Sequence, residues 1–150
     1  MSALRALLSK DQRLLGIDPG AKTIGLALTD VRLTLASPFG SLKRGKLKAV
    51  AADITVIARK ENIGGLVAGL PLSMDGSEGP AAQAARDWTL ALSEATGLPA
   101  AMFDERLSSA AVNRFLIQEA DLSRKKRAES VDRMAAAWML QAALDASRPG

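Results

Sequence analysis

The stretch RLLGIDPGAKTIGLALTD, residues 13–30, constrains the fold more than any other part of the chain. It opens on a short apolar run that ends at Asp18. In the second half, Ile24, Leu26 and Leu28 alternate with Thr23, Gly25, Ala27 and Thr29, and a period of two describes a strand, not a helix. Pro19 and Gly20 lie between the two segments. Proline holds its own φ and glycine reaches positive φ without a steric cost, so this link reads as a turn. The stretch is therefore a β-hairpin with Asp18 at the end of its first strand.

That order excludes two kinds of phosphate loop. A dinucleotide-binding turn must lead straight into a helix whose amino terminus holds the pyrophosphate, and here a strand follows. A Walker-type G-x-x-x-x-G-K-[ST] run is absent. Asp18 remains either an ordinary turn residue or a ligand left over the end of the sheet.

Further along, the spacing predicts a third strand over about 33–38 and a helix over 47–61, where Leu47, Val50, Ile54, Ile57 and Ala58 share a face. The apolar run IGGLVAGLPL, residues 63–72, reads as a strand buried on both sides. After the polar loop SMDGSEG, Pro80 opens a helix that runs to about Ala95 and stops at Gly97. The segment LPAAMFDE is the next strand. A helix over about 108–119 follows, with Ser108 or Ser109 available to cap it, and then a basic loop, DLSRKKRAE. Ser130 is positioned to cap a final helix over 131–146. The sum is an α/β architecture: a mixed five-stranded sheet, antiparallel hairpin first and parallel strands after, with helices on both faces. A chain of 150 residues suits one domain, 1–150, with residues 1–12 expected as a flexible lead-in.

Composition narrows the chemistry. The chain has no cysteine and no histidine, which removes disulfides, thiolate nucleophiles, imidazole bases and the usual zinc sites. Catalysis would have to use carboxylates, hydroxyls or amines. No apolar stretch approaches the roughly 18 residues of a membrane span, and MSALRALLSKDQR is too interrupted for a signal peptide. A cytoplasmic protein without a membrane partner is expected. Twenty Lys and Arg stand against 16 Asp and Glu, a net charge of +4, which favours anionic partners. The basic residues concentrate in KRGKLK at 43–48 and RKKR at 124–127, although either run alone also fits a solvated face. With three Phe, two Trp and no Tyr, base-stacking platforms are poorly supplied, so backbone charge would dominate binding to a nucleic acid.

The acids supply a candidate site. FDERLSS puts Asp104 and Glu105 at the end of the last strand, and neighbouring strand residues face opposite ways, so one of the two can join Asp18. Glu105 is taken as that partner. Asp104 is then available to cap the strand end or to pair with a nearby base, and spacing alone leaves this open. Asp132 lies one turn before Ala136, on a strip with Met139 and Ala143; the helix dipole by itself would also justify an acid there. Three acids near element ends suit a pair of divalent cations, Mg²⁺ or Mn²⁺, which together activate a water and stabilise a departing oxygen without any imidazole. Lys22 and Arg106 are candidates for holding phosphate oxygens. Arg124, Lys125, Lys126 and Arg127 directly precede the helix of Asp132 and suit guidance of a nucleic-acid backbone. The loop SMDGSEG is either a lid or a plain connection.

Taken together, GIDPGAKTIGLALTD, VAGLPLSMDGSEGP, FDERLSS, SRKKR and VDRMAAAWMLQ resemble the bacterial YqgF (RuvX) family over about residues 13–144. The resemblance implies an RNase H-like fold related to the RuvC resolvases, and a nuclease that processes the 5′ end of precursor 16S ribosomal RNA. Holliday-junction resolution is also implied as an alternative. By motif, the acidic site carries onto Asp18, Glu105 and Asp132. RuvC-type enzymes take a second acid from the preceding buried strand, whereas here that strand ends GLPLSMD with no acid before Asp75. The expected partner is structured RNA (precursor rRNA) or branched DNA, bound by a monomer or, for a symmetric junction, by a homodimer. Two other classes compete. One is a non-catalytic RNA-binding factor of ribosome assembly or transcription. The other is a phosphate-binding relative of sugar kinases and Hsp70 ATPases, which close two lobes around ATP where this chain has length for one.

Overall fold

The elements follow one another as α1 (Ser2–Leu7), β1 (Arg13–Pro19), β2 (Thr23–Thr29), β3 (Ala36–Lys43), α2 (Leu47–Glu61), β4 (Ile63–Leu70), α3 (Pro80–Thr96), β5 (Ala100–Asp104) and α4 (Arg124–Ala146). The structure, a computed structural model, describes residues 1–20, 22–72, 75–104, 106 and 124–147, with the backbone alone over 124–133. The strands form one sheet in the order β3-β2-β1-β4-β5. β1, β2 and β3 pair antiparallel, and β4 and β5 continue parallel to β1. This is the mixed sheet expected from the hairpin and the crossovers after it.

Each face has its own core. Leu15 and Ile17 of β1, with Ile24, Leu26 and Leu66, pack against Val50 and Ile54 of α2 and Leu92 of α3. On the other face Leu14, Ala27, Val67 and Phe103 pack against Ala136, Met139, Leu140, Ala143 and Leu144 of α4. The alternation of strand side chains thus sorts β1 between two helical layers. Gly16 sits under α4, where an added Cβ would lie 3.1 Å from both Cβ and Cδ2 of Leu140. A hydrogen atom at this position lets the helix lie close to the strand.

Three boundaries differ from the spacing-based expectation. The third strand runs Ala36–Lys43, not 33–38. The Asp30 carboxylate accepts bonds from the Thr34 N–H (2.8 Å), the Thr34 hydroxyl (2.6 Å) and the Leu35 N–H (3.1 Å), and these hold the preceding residues in a loop with Leu33 at φ 57°. The strand then continues through Pro38 because β3 is an edge strand, and the register shifts there: Leu26 pairs with Gly40 and Ala27 with Pro38. A missing N–H is tolerated at an edge or a bulge. The final helix begins at Arg124 instead of 131, so the basic run forms its first turn and Ser130 lies inside it. Arg, Lys, Ala and Glu are all good helix formers, and RKKRAE extends the helix instead of interrupting it. The first residues, expected as a flexible lead-in, contain α1. Leu4 is buried there, and Arg5 donates to the Leu144 carbonyl (3.3 Å) and the Ser147 hydroxyl (3.1 Å). The helix expected over 108–119 lies outside the described residues.

Candidate active site

Asp18 is next to last in β1 and 2 % exposed. Its position follows from alternation. Leu14 packs in the α4-side core and Gly16 lies under Leu140, so Asp18, two residues further, belongs to the same face. It pairs with Gly25 of β2. On the other side, Ile17 pairs with Ala68 of β4.

The direction of α4 determines what can meet Asp18. Near its carboxyl end Gln141 accepts from the Ala36 N–H (2.9 Å) and donates to the Thr34 carbonyl (3.0 Å). Those residues lie at the rim opposite the hairpin turn, so α4 runs antiparallel to β1 and its amino-terminal half extends toward Asp18. Asp132 lies two turns before Leu140 on the row that includes Ala136 and Leu144, each of which is fully buried. The helical rise puts its backbone about 12 Å along from Leu140, while Asp18 lies about 7 Å along β1 from Gly16. The backbone of Asp132 therefore reaches the rim where Asp18 sits. Arg124, Lys125, Lys126 and Arg127, in the first turns of α4, lie further out in the same direction.

β5 separates the two adjacent acids. Ala101 and Phe103 join the α4-side core. Ala100 and Met102, with Leu70, instead line a cavity of about 350 Å³ against Arg86, Thr89, Leu90 and Ser93 of α3. Asp104 continues the second set and lies on the α3 side, away from the face of Asp18. Its carboxylate is held by Arg106, whose Nη2 lies 2.7 Å from Oδ2, whose Nε lies 3.1 Å from each oxygen, and whose backbone N–H donates at 3.0 Å. The guanidinium keeps the Asp104 carboxyl below the usual carboxylate range, although partial burial opposes it. Arg106 also lies against Gly76 in the β4–α3 loop. There the Asp75 carboxyl is lowered chiefly by the hydroxyl and N–H of Ser77. Glu105 lies outside the described residues. Among the described residues no group of three or more metal-ligating side chains gathers.

Lys22 is exposed beside the hairpin turn. The Gly20 N–H donates to the Thr23 carbonyl (2.7 Å), and the Arg44 N–H donates to the Lys22 carbonyl (2.9 Å). Arg44 also donates through Nη1 to the Gly20 carbonyl (2.6 Å). This clamp on the turn beside Asp18 was not legible in the sequence: Arg44 is 24 residues from Gly20 and reaches it through the pairing of β2 with β3.

Comparison with known proteins gives a consistent answer. Residues 12–146 match the RuvX family, described as Holliday junction resolvase. A protein of Gluconacetobacter diazotrophicus named "Putative pre-16S rRNA nuclease" is 69% identical over 147 residues, covering 98% of this chain and 96% of that protein. A protein of Gluconobacter oxydans with the same name is 64% identical over 146 residues, covering 97% and 91%. Among solved structures, T. thermophilus RuvC in complex with Holliday junction substrate aligns at a TM-score of 0.52 and 15% identity, covering 90% of this chain and 94% of that one. That likeness shows a shared RNase H-like fold. With the family matched from residue 12 to residue 146 and such relatives over nearly their full length, this chain belongs to the RuvX family.

Proposed function

We propose that the chain is a divalent-metal-dependent nuclease of structured nucleic acid, and that its substrate is the 5′ end of precursor 16S rRNA. The observation that carries this reading is the carboxylate of Asp18, buried at the end of the central strand on the face that α4 covers. Hard oxygens at such a position fit Mg²⁺ or Mn²⁺. Asp18, Glu105 and Asp132 would hold the ions. When bound, the ions supply an activated water and stabilise the departing oxygen.

The remaining roles fall to the chain itself. β1 fixes Asp18 between β2 and β4, and α4 passes close over the same face at Gly16. The position of Asp104 on the α3 side supports Glu105 as the member of the pair that joins Asp18. Lys22, Arg106, Arg124, Lys125, Lys126 and Arg127 would hold backbone phosphates; Arg106 would do so while tied to Asp104. The names of the two relatives support an RNA substrate, and such a substrate agrees with a cytoplasmic protein. Among the described residues no helix is long and apolar enough to cross a membrane. The description of the family favours a second reading, a four-way DNA junction, which would call for a homodimer where RNA processing needs only a monomer.

The test is a cleavage assay of 5′-extended 16S rRNA precursor and of a four-way junction, with Mg²⁺, Mn²⁺ or a chelator. The expected result is metal-dependent scission of the RNA by the wild-type chain, reduced about a hundredfold or more in Asp18→Asn. RNA that is bound but never cut would replace the nuclease with a binding factor. Scission of the junction alone would select the second substrate.

A further inference from the structure

Between Asp30 and Asp53 the chain carries no acid, yet Lys43, Arg44, Lys46 and Lys48 fall within six residues of one another. The fold brings this run to the rim of Asp18. Lys43 pairs with Thr23 at the end of β3, directly beside Lys22, and Arg44 binds the hairpin turn through the Gly20 and Lys22 carbonyls. Gly25, the partner of Asp18, also pairs with Ser41. Lys43 is thus two strand spacings and two residues away from Asp18, a backbone separation of about 12 Å.

Lys46 and Lys48 extend the run over the start of α2. Lys46 is the N-cap and makes no side-chain capping bond, and the first turn contains no acid. Cations at a helix amino terminus oppose the macrodipole, so this placement works against stability. A local rule broken in this way suggests an external anion. Lys22, Lys43, Arg44, Lys46 and Lys48 are all exposed. Among the described residues the ion pairs join Arg13 to Glu61, Arg86 to Glu78 and Arg106 to Asp104. None of the five takes part.

We propose that Lys22, Lys43, Arg44, Lys46 and Lys48 form a track for backbone phosphates that leads a nucleic-acid strand across the β2–β3 end of the sheet to Asp18. This rests on the nuclease reading for its destination, but the track is a binding surface with its own readout. Arg44 has two duties in it, bracing the turn and presenting charge, so the informative substitutions are at Lys43 and Lys46.

The experiment measures affinity for 5′-extended 16S rRNA precursor, with chelator present, as a function of salt. Three chains are compared: wild type, Lys43→Gln/Lys46→Gln, and Arg59→Gln/Lys60→Gln. The last pair removes the same charge from exposed positions at the far end of α2. Each lost phosphate contact lowers the slope of log K against log salt by about 1. The expected result is a slope smaller by about 2 and binding about tenfold weaker for the Lys43/Lys46 variant, with the Arg59/Lys60 variant at wild type. Equal losses in both variants would reduce the effect to net charge and overturn the track, as would no loss in either. Cleavage by Asp18→Asn is scored in parallel. Wild-type cutting by that variant defeats the nuclease reading and leaves the salt slopes intact; normal loss of cutting with unchanged slopes defeats only the track.

Discussion

Asp18 and Asp104 are both strand-end acids, yet their surroundings give them different work. Asp18 is buried at the end of β1 and faces α4, which suits a ligand. Replacing it by Asn removes one charge and keeps the shape, so cleavage is expected to fall about 10²- to 10³-fold, the equivalent of several kcal/mol of lost charge stabilisation. Circular dichroism should stay at wild type. Asp104 is an ion-pair partner of Arg106, with its carboxyl lowered by that side chain. A carboxyl lowered on folding contributes stability above its unfolded pKa, and the contribution disappears as pH falls through the folded value. Arg106→Ala should therefore bring the Asp104 titration up to the ordinary carboxylate range, as followed by the carboxyl carbon resonance. It should also flatten the acid-side decline in urea midpoint. An unchanged Asp104 titration would mean that the pair is not formed in solution.

The elements explain what could be read early and what could not. α2 runs over 47–61 as its apolar spacing predicts, and α3 begins at Pro80 and stops at Gly97, which adopts φ 74°. Both follow from local chemistry. β3 and the start of α4 did not, because the first is displaced by the Asp30 loop and supported by an edge pairing, and the second extends through residues whose charge resembles a loop but whose helix propensity is high. The contact between β1 and α4 can be tested at Gly16. A methyl group there meets the Cβ of Leu140, which is fixed to the helix backbone, and overpacking of this kind destabilises by about 1–3 kcal/mol. Gly16→Ala should lower the unfolding free energy by that amount, as read from urea denaturation. Because the shift moves the helix that carries Asp132, cleavage should fall as well. A variant as stable and active as wild type would show that α4 does not lie so close.

At the scale of the whole molecule, the sheet separates two cores and the candidate site occupies one rim. α1 closes the end of the α4-side core away from that rim, with Leu4 buried against it and Arg5 bonded to the end of α4. Leu4→Ala should destabilise the chain by about 2–5 kcal/mol, the usual range for a buried leucine, with KM for RNA unchanged because α1 lies far from the rim of Asp18. A loss under 0.5 kcal/mol, the range of surface substitutions, would return the segment to the flexible lead-in suggested by its sequence. The basic surface is a property of the same scale. Lys22 and the run at 43–48 are separate in the chain and adjacent only because β2 pairs with β3.

The sequence by itself determined the hairpin, the alternation that divides β1 between two faces, the helix begun by proline and stopped by glycine, and the exclusion of thiol and imidazole chemistry from a chain without cysteine or histidine. Each of these depends on bond rotation or side-chain type within a few residues. The tertiary structure decided which face each strand-end acid takes, how closely α4 crosses Gly16, and that Arg44 braces the turn beside Asp18. Those outcomes depend on strand order and helix direction, and a chain's own neighbours along the backbone exert no force that fixes either.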